Sequence, residues 1–87
     1  MRTATPALSG ITAAEVVAVA ANEVSVVLRT QIGRAQGVAV YLDGLSEPDV
    51  LATVAGDDTV LIIPTSIDKV DALVRRLAEL FALPAKP

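Results

Sequence analysis

The 87-residue sequence contains no cysteine, no histidine and no tryptophan, and each absence removes a class of function. Without thiols there is no disulfide, no thiolate nucleophile and no cysteine metal site, and nothing argues against a reducing, cytoplasmic setting. Without imidazole the usual general base and the commonest metal ligand are gone. Aromatic residues are limited to Tyr41 and Phe81, so any core must be built from Val, Ala, Leu and Ile. Runs of 18 apolar residues are missing, as is a charged-then-apolar leader, so the reading is neither a membrane span nor a visible secretion signal. Clustered basic charge is missing too. Seven Lys and Arg against ten Asp and Glu leave a net charge of −3, and such a surface should not bind nucleic acid tightly.

Apolar residues, by contrast, are in excess, at 53 % of the chain. One domain of this size has more surface than interior. It must either expose apolar patches, which monomers seldom do, or cover them with copies of itself. A homo-oligomer is therefore expected.

Residues 1–10 are rich in Ala, Thr, Pro and Gly and read as a flexible lead-in, residues 11–83 as the folded domain and 84–87 as a tail. Ala14 to Ala20 and Val24 to Thr30 are β-branched and of strand length, with Ala21-Asn22-Glu23 as the turn between them. Gly33 then opens a helix whose buried stripe is Ala35, Val38, Ala39, Leu42 and Leu45, and Ser46-Glu47-Pro48 closes it. A neighbouring stripe carries Gln36, Val40 and Asp43, which puts the amide and the carboxylate on one side of the helix, roughly 10 Å apart along its axis. Val50 to Ala55 is the third strand. Val60 to Ile63 is an apolar run that reads as a fourth, covered on both faces. Thr65 or Ser66 should cap the last helix, with Asp68 in its first turn. Its apolar face is Ile67, Val70, Leu73, Val74, Leu77, Leu80 and Phe81, and Arg75-Arg76 read as a solvated pair. Pro84 ends it.

This β-β-α-β-β-α order specifies an α+β fold: a four-stranded antiparallel sheet in the order 1-2-4-3, with two helices on one face, a variant of the ferredoxin-like plait. The other face would stay bare, and partner subunits are expected there. Between the third and fourth strands lies Thr53-Val54-Ala55-Gly56-Asp57-Asp58-Thr59-Val60-Leu61. Gly56 suggests a hairpin turn with a positive φ, and Asp57 and Asp58 sit at or just past its tip. From these residues alone, the two carboxylates are either solvated turn residues or a binding site.

Those nine residues, with Gly33-Arg34-Ala35-Gln36 and Leu42-Asp43 before them, resemble the C-terminal domain of the bacterial arginine repressor family. The resemblance runs from about Val16 to Phe81, and the Ala-Gly-Asp-Asp-Thr segment is its signature. The family's winged helix-turn-helix DNA-binding half is not in this sequence, so the reading is an isolated effector-binding and oligomerisation domain, with Met1 an added start. The resemblance implies trimers that stack in pairs into a hexamer, with L-arginine bound between trimers as corepressor of arginine biosynthesis genes. Operator DNA would be a partner of the full-length protein only, and no cofactor is implied beyond the effector. It places Gln36, Asp43, Thr53, Ala55, Asp57 and Asp58 in contact with the ligand, Thr53 and Ala55 mainly through backbone groups. One departure is Ala52, where family members usually carry glycine, which puts a methyl group beside Thr53.

The chemistry of the residues agrees with such a ligand. Arginine is a net cation whose guanidinium pairs with carboxylate as a two-pronged fork. Adjacent aspartates diverge, so one would take the amino-acid end and the other a guanidinium held by the facing trimer. Asp58 with Asp43 and Gln36 is the first assignment for the amino-acid end and Asp57 for the guanidinium, a division that can also be reversed. Two alternatives remain: a sensor of lysine, ornithine or citrulline, and a hydrolase using Asp43, Asp57 and Asp58 to hold a metal ion.

Overall fold

The computed structural model describes residues 15–83. Residues 1–14 and 84–87 fall outside that range, and with them the lead-in, the tail, Ala14 and Pro84. Strand β1 is Val16–Ala21, β2 Val26–Thr30, β3 Val50–Ala55 and β4 Thr59–Pro64; helix α1 is Ala35–Leu45 and α2 Val70–Leu80. All neighbouring strands are antiparallel, in the order β1-β2-β4-β3. Helix α1 lies over β3 and β4, and α2 mainly over β1 and β2. The expected α+β architecture and strand order are the observed ones. No helix among the described residues is long and apolar enough to cross a membrane.

Alternation along the strands divides the sheet into two unlike faces. On the helix side, Val19, Leu28 and Val60 form one cross-strand row and Val26 faces Ile62. These pack with Val38 and Leu42 of α1 and Leu73 and Leu77 of α2, all buried. Tyr41 and Phe81 meet edge to face, ring centroids 6.1 Å apart, a favoured aromatic geometry that ties α1 to the end of α2. On the far side, Ala20, Val27, Leu61 and Val54 make a second row across all four strands. Val54 is 57 % exposed and Leu61 36 %. The run Val60 to Ile63 is thus not covered on both faces, as its composition suggested. Its strand is central, yet the described residues supply helices to one side only.

Several boundaries shift for local reasons. The Asn22 side chain accepts hydrogen bonds from Val24 N (2.9 Å) and Ser25 N (2.8 Å), an Asx-type turn that delays the start of β2 to Val26. Gly33 does not itself open α1; it has φ +83°, a left-handed conformation suited to glycine, and the helix starts two residues later. Gly56 lacks the positive φ expected of it, and a Cβ there would meet only Thr59 O at 3.7 Å. Thr65 and Ser66 do not cap α2 directly. A 3₁₀ turn, Ile67–Lys69, intervenes, leaving Ile67 exposed rather than in the apolar face. The Ser66 hydroxyl donates instead to Asp68, holding that carboxyl below its ordinary range. The last helix ends before Pro84 is reached: Ala82 already has φ +55°, outside the helical region.

Arg75 and Arg76 are not an equivalent solvated pair. Arg76 donates to Glu47 through Nε (3.1 Å) and a terminal nitrogen (2.8 Å), joining α2 to the α1–β3 connection. The Glu47 side chain is only 11 % exposed, so losing its partner leaves a largely enclosed carboxylate unpaired. Arg76→Ala is expected to lower unfolding free energy by about 1 kcal/mol, whereas Arg75→Ala should change it by less than about 0.5 kcal/mol. Urea titration of the two variants checks the contrast.

Candidate functional site

The β3–β4 turn and the start of α1 are built against each other through the main chain. Helices leave their first N–H groups without internal partners, and Arg34 at the N-cap of α1 offers no side-chain cap. The carbonyl of Asp57 fills that role, accepting from Gly33 N at 3.0 Å and Ala35 N at 3.3 Å. The carbonyl of Asp58 accepts from Thr30 N at 2.8 Å, and Gly56 N bonds Thr59 O at 2.8 Å to close the turn. The acidic tip is therefore fixed by backbone bonds, and its carboxylates are not consumed in holding it.

These carboxylates go to different surroundings. Asp57, Gln36, Gly33 and Gly56 line a cleft of about 420 Å³ that opens to solvent beside the first turn of α1. Asp58 instead turns to the strands. Its Oδ1 accepts from the Thr59 hydroxyl at 2.9 Å, and its Oδ2 is 3.6 Å from the Arg29 guanidinium. Further along α1, Asp43 reaches β3, where the Thr53 hydroxyl donates to its Oδ1 at 3.0 Å. Ala55 lies on β3 between Thr53 and the tip, opposite Val60.

The candidate positions thus fall into three linked parts. Gln36 and Asp57 share the cleft, Asp43 and Thr53 are hydrogen-bonded where α1 meets β3, and Asp58 belongs to a pair with Arg29. This placement groups Gln36 with Asp57 rather than with Asp58. Ala52 faces Ile63 while Thr53 faces Ile62, so the Ala52 methyl and the Thr53 hydroxyl leave opposite sides of β3. A second cleft, about 180 Å³, opens beside Asp43 with Leu42, Val50 and Leu51 in its lining. Among the described residues, none roofs either cleft.

Asp43, Asp57 and Asp58 do not form a metal site. No group of three or more carboxylates among the described residues converges as a metal ion requires: Asp43 pairs with Thr53, Asp58 with Thr59 and Arg29, and Asp57 lines the cleft. Arg29, paired with Asp58, is the residue beside the acidic tip that sequence reasoning missed. Its signal was present but indirect: the strand order puts β2 beside β4, and the register sets Arg29 opposite Thr59, one residue from the acidic tip.

Residues 13–79 match the family described as arginine repressor, C-terminal domain. The arginine repressor of Chlorobium phaeovibrioides is 52 % identical over 67 residues, covering 77 % of this chain and 45 % of that protein. That of Chlorobium chlorochromatii is 49 % identical over 67 residues, with the same coverage of 77 % and 45 %. The arginine repressor of Chlorobaculum parvum is 40 % identical over 77 residues, 88 % of this chain and 52 % of that protein. The chain spans about half the length of the curated relatives it matches.

Proposed function

Given that the chain belongs to the family of arginine repressor C-terminal domains, a family of regulators and not of enzymes, we propose that it is an effector-sensing and assembly domain of a transcriptional repressor, with L-arginine as the effector. The observation that carries this reading is the solvent-open cleft that Asp57 and Gln36 both line at the start of α1. A carboxylate there suits the ammonium or guanidinium of a basic amino acid. A carboxamide supplies both a donor and an acceptor to the rest of it. Asp43 and Thr53 continue the polar surface along the same side of α1, and Ala55 contributes backbone groups between them.

Assembly follows from the two faces of the sheet. The bare row Val27, Leu61 and Val54 packs against neighbouring copies within a ring of three. The acidic tips and the outer side of α1 meet their counterparts on a second ring. Without ligand, like charges on facing tips resist that approach. Arginine between them supplies the missing roof and a positive charge, and a ligand that binds only the assembled form stabilises it by mass action. In the whole protein this domain would couple arginine concentration to operator binding in the cytoplasm, through a DNA-binding portion. The domain itself makes no contact with DNA.

Sedimentation velocity of the chain, with and without L-arginine, tests the proposal. Arginine at saturating concentration is expected to convert trimers to hexamers. Lysine and ornithine, which end in an ammonium in place of the guanidinium, and citrulline, which ends in a neutral urea, serve as controls. A stronger shift with one of them would reassign the effector; no shift with any would remove the effector reading.

A further inference from the structure

Asp43 stands where its own helix does nothing to hold it. It lies two residues before the end of α1, where its charge meets the negative end of the helix dipole, and that last turn carries no basic side chain. Among the described residues it takes part in no salt bridge. Its one side-chain hydrogen bond there comes from a different element: the Thr53 hydroxyl on β3 donates to Oδ1 at 3.0 Å. Thr53 is opposite Ile62, a residue buried under the helices, so its side chain leaves β3 on the helix side of the sheet. A β-branched residue has little freedom at χ1, and β3 is paired along its length with β4. The hydroxyl is therefore delivered from a fixed point. That single bond decides how the carboxylate turns, with Oδ1 toward β3 and Oδ2 away from it.

We propose that Thr53 is a positioning residue for the effector, its hydroxyl fixing the Asp43 carboxylate so that Oδ2 meets a cationic group of the ligand. The inference rests on the arginine reading above, and it gives the Thr53 side chain a role separate from any main-chain contact. A carboxylate on a helix surface samples several rotamers, and ordering it when the ligand arrives subtracts from affinity. The bond from β3 does that ordering beforehand. A hydroxyl that donates one hydrogen bond keeps its lone pairs, so Thr53 also offers an acceptor beside Oδ2 to a second N–H of the same cation. The bond itself is exposed. Water can replace it on both partners, so it contributes little to folding. Its loss should be felt in binding and not in stability.

Isothermal calorimetry with L-arginine on the complete chain, alongside urea unfolding, tests this. Thr53→Val keeps the branched shape and the main chain and exchanges the hydroxyl for a methyl. It is expected to bind arginine about three- to tenfold more weakly than the parent. Its urea midpoint should stay at or above the parent's, because valine suits a strand at least as well as threonine. Thr53→Ser restores the hydroxyl and should recover most of the lost affinity. A merely structural hydroxyl would give the opposite pattern, a lower midpoint with affinity kept. Parent-like affinity in Thr53→Val, a lowered midpoint in that variant, or an equal loss of affinity in Thr53→Ser would each overturn the inference and leave the effector reading standing. No binding of arginine by the parent chain would remove the effector reading and this inference with it.

Discussion

Asp57→Ala is expected to lose arginine-driven assembly, remaining trimeric at effector concentrations that make the parent hexameric. Among the described residues, Asp57 is the only acidic side chain lining the Gln36 cleft, so none of them substitutes for its charge there. Truncating one partner of an enclosed, hydrogen-bonded charge pair costs about 2–5 kcal/mol, or a loss of affinity of about 30-fold or more. The fold should survive, because the bonds that Asp57 gives to the start of α1 come from its main-chain carbonyl. Asp57→Asn separates charge from shape: it fills the same volume and should bind almost as poorly as the alanine variant. Calorimetry and sedimentation with arginine check both. Parent-like affinity in either variant would remove Asp57 from the site.

Leu61→Lys is expected to break the ring itself and leave a folded monomer. Leu61 lies mid-row on the bare sheet face, between Val27 and Val54, and is 36 % exposed in the single chain. Within one chain a lysine there can reach water along the open face, so the melting transition should persist. Between copies it cannot. Each interface would enclose an ammonium without a partner, at an effective cost of several kcal/mol per ion, and a symmetric ring repeats the insult at every contact. Analytical ultracentrifugation should return the monomer mass at concentrations where the parent is trimeric. An unchanged assembly would show that copies meet elsewhere, and the roles given to the two sheet faces would have to be redrawn.

The parts of the fold that repeat were legible in the sequence. Ala35, Val38, Ala39 and Leu42 recur at helical spacing and are buried; Val26 and Leu28 alternate with Val27 and Arg29 as a half-covered strand should. The strand order followed from the order of strands and helices along the chain. What was illegible depends on single residues or on distant partners. Two adjacent aspartates look alike in a string, and only the closed turn sends one toward α1 and the other toward β2. Four consecutive apolar residues in β4 suggested cover on both sides, because composition does not say whether the second cover belongs to the same chain. Ile67 fits a helical stripe by spacing, but a 3₁₀ turn has a different pitch and carries it outward. Glu47 could not be matched to Arg76 across a sequence separation of 29. Of the candidate site, Gln36, Asp43 and Asp57 stood out by spacing and motif, whereas Arg29 needed the register.

The three main-chain hydrogen bonds that join Asp57 and Asp58 to Thr30, Gly33 and Ala35 bear on how fast a regulator of this kind can respond. A receptor loop already in its final shape has little disorder to surrender when its guest arrives. Recognition then needs only diffusion and a side-chain adjustment, with no segment to fold first. Under the proposed assembly the slow event would be the meeting of one ring with another, which would make the delay a function of how much protein the cell holds.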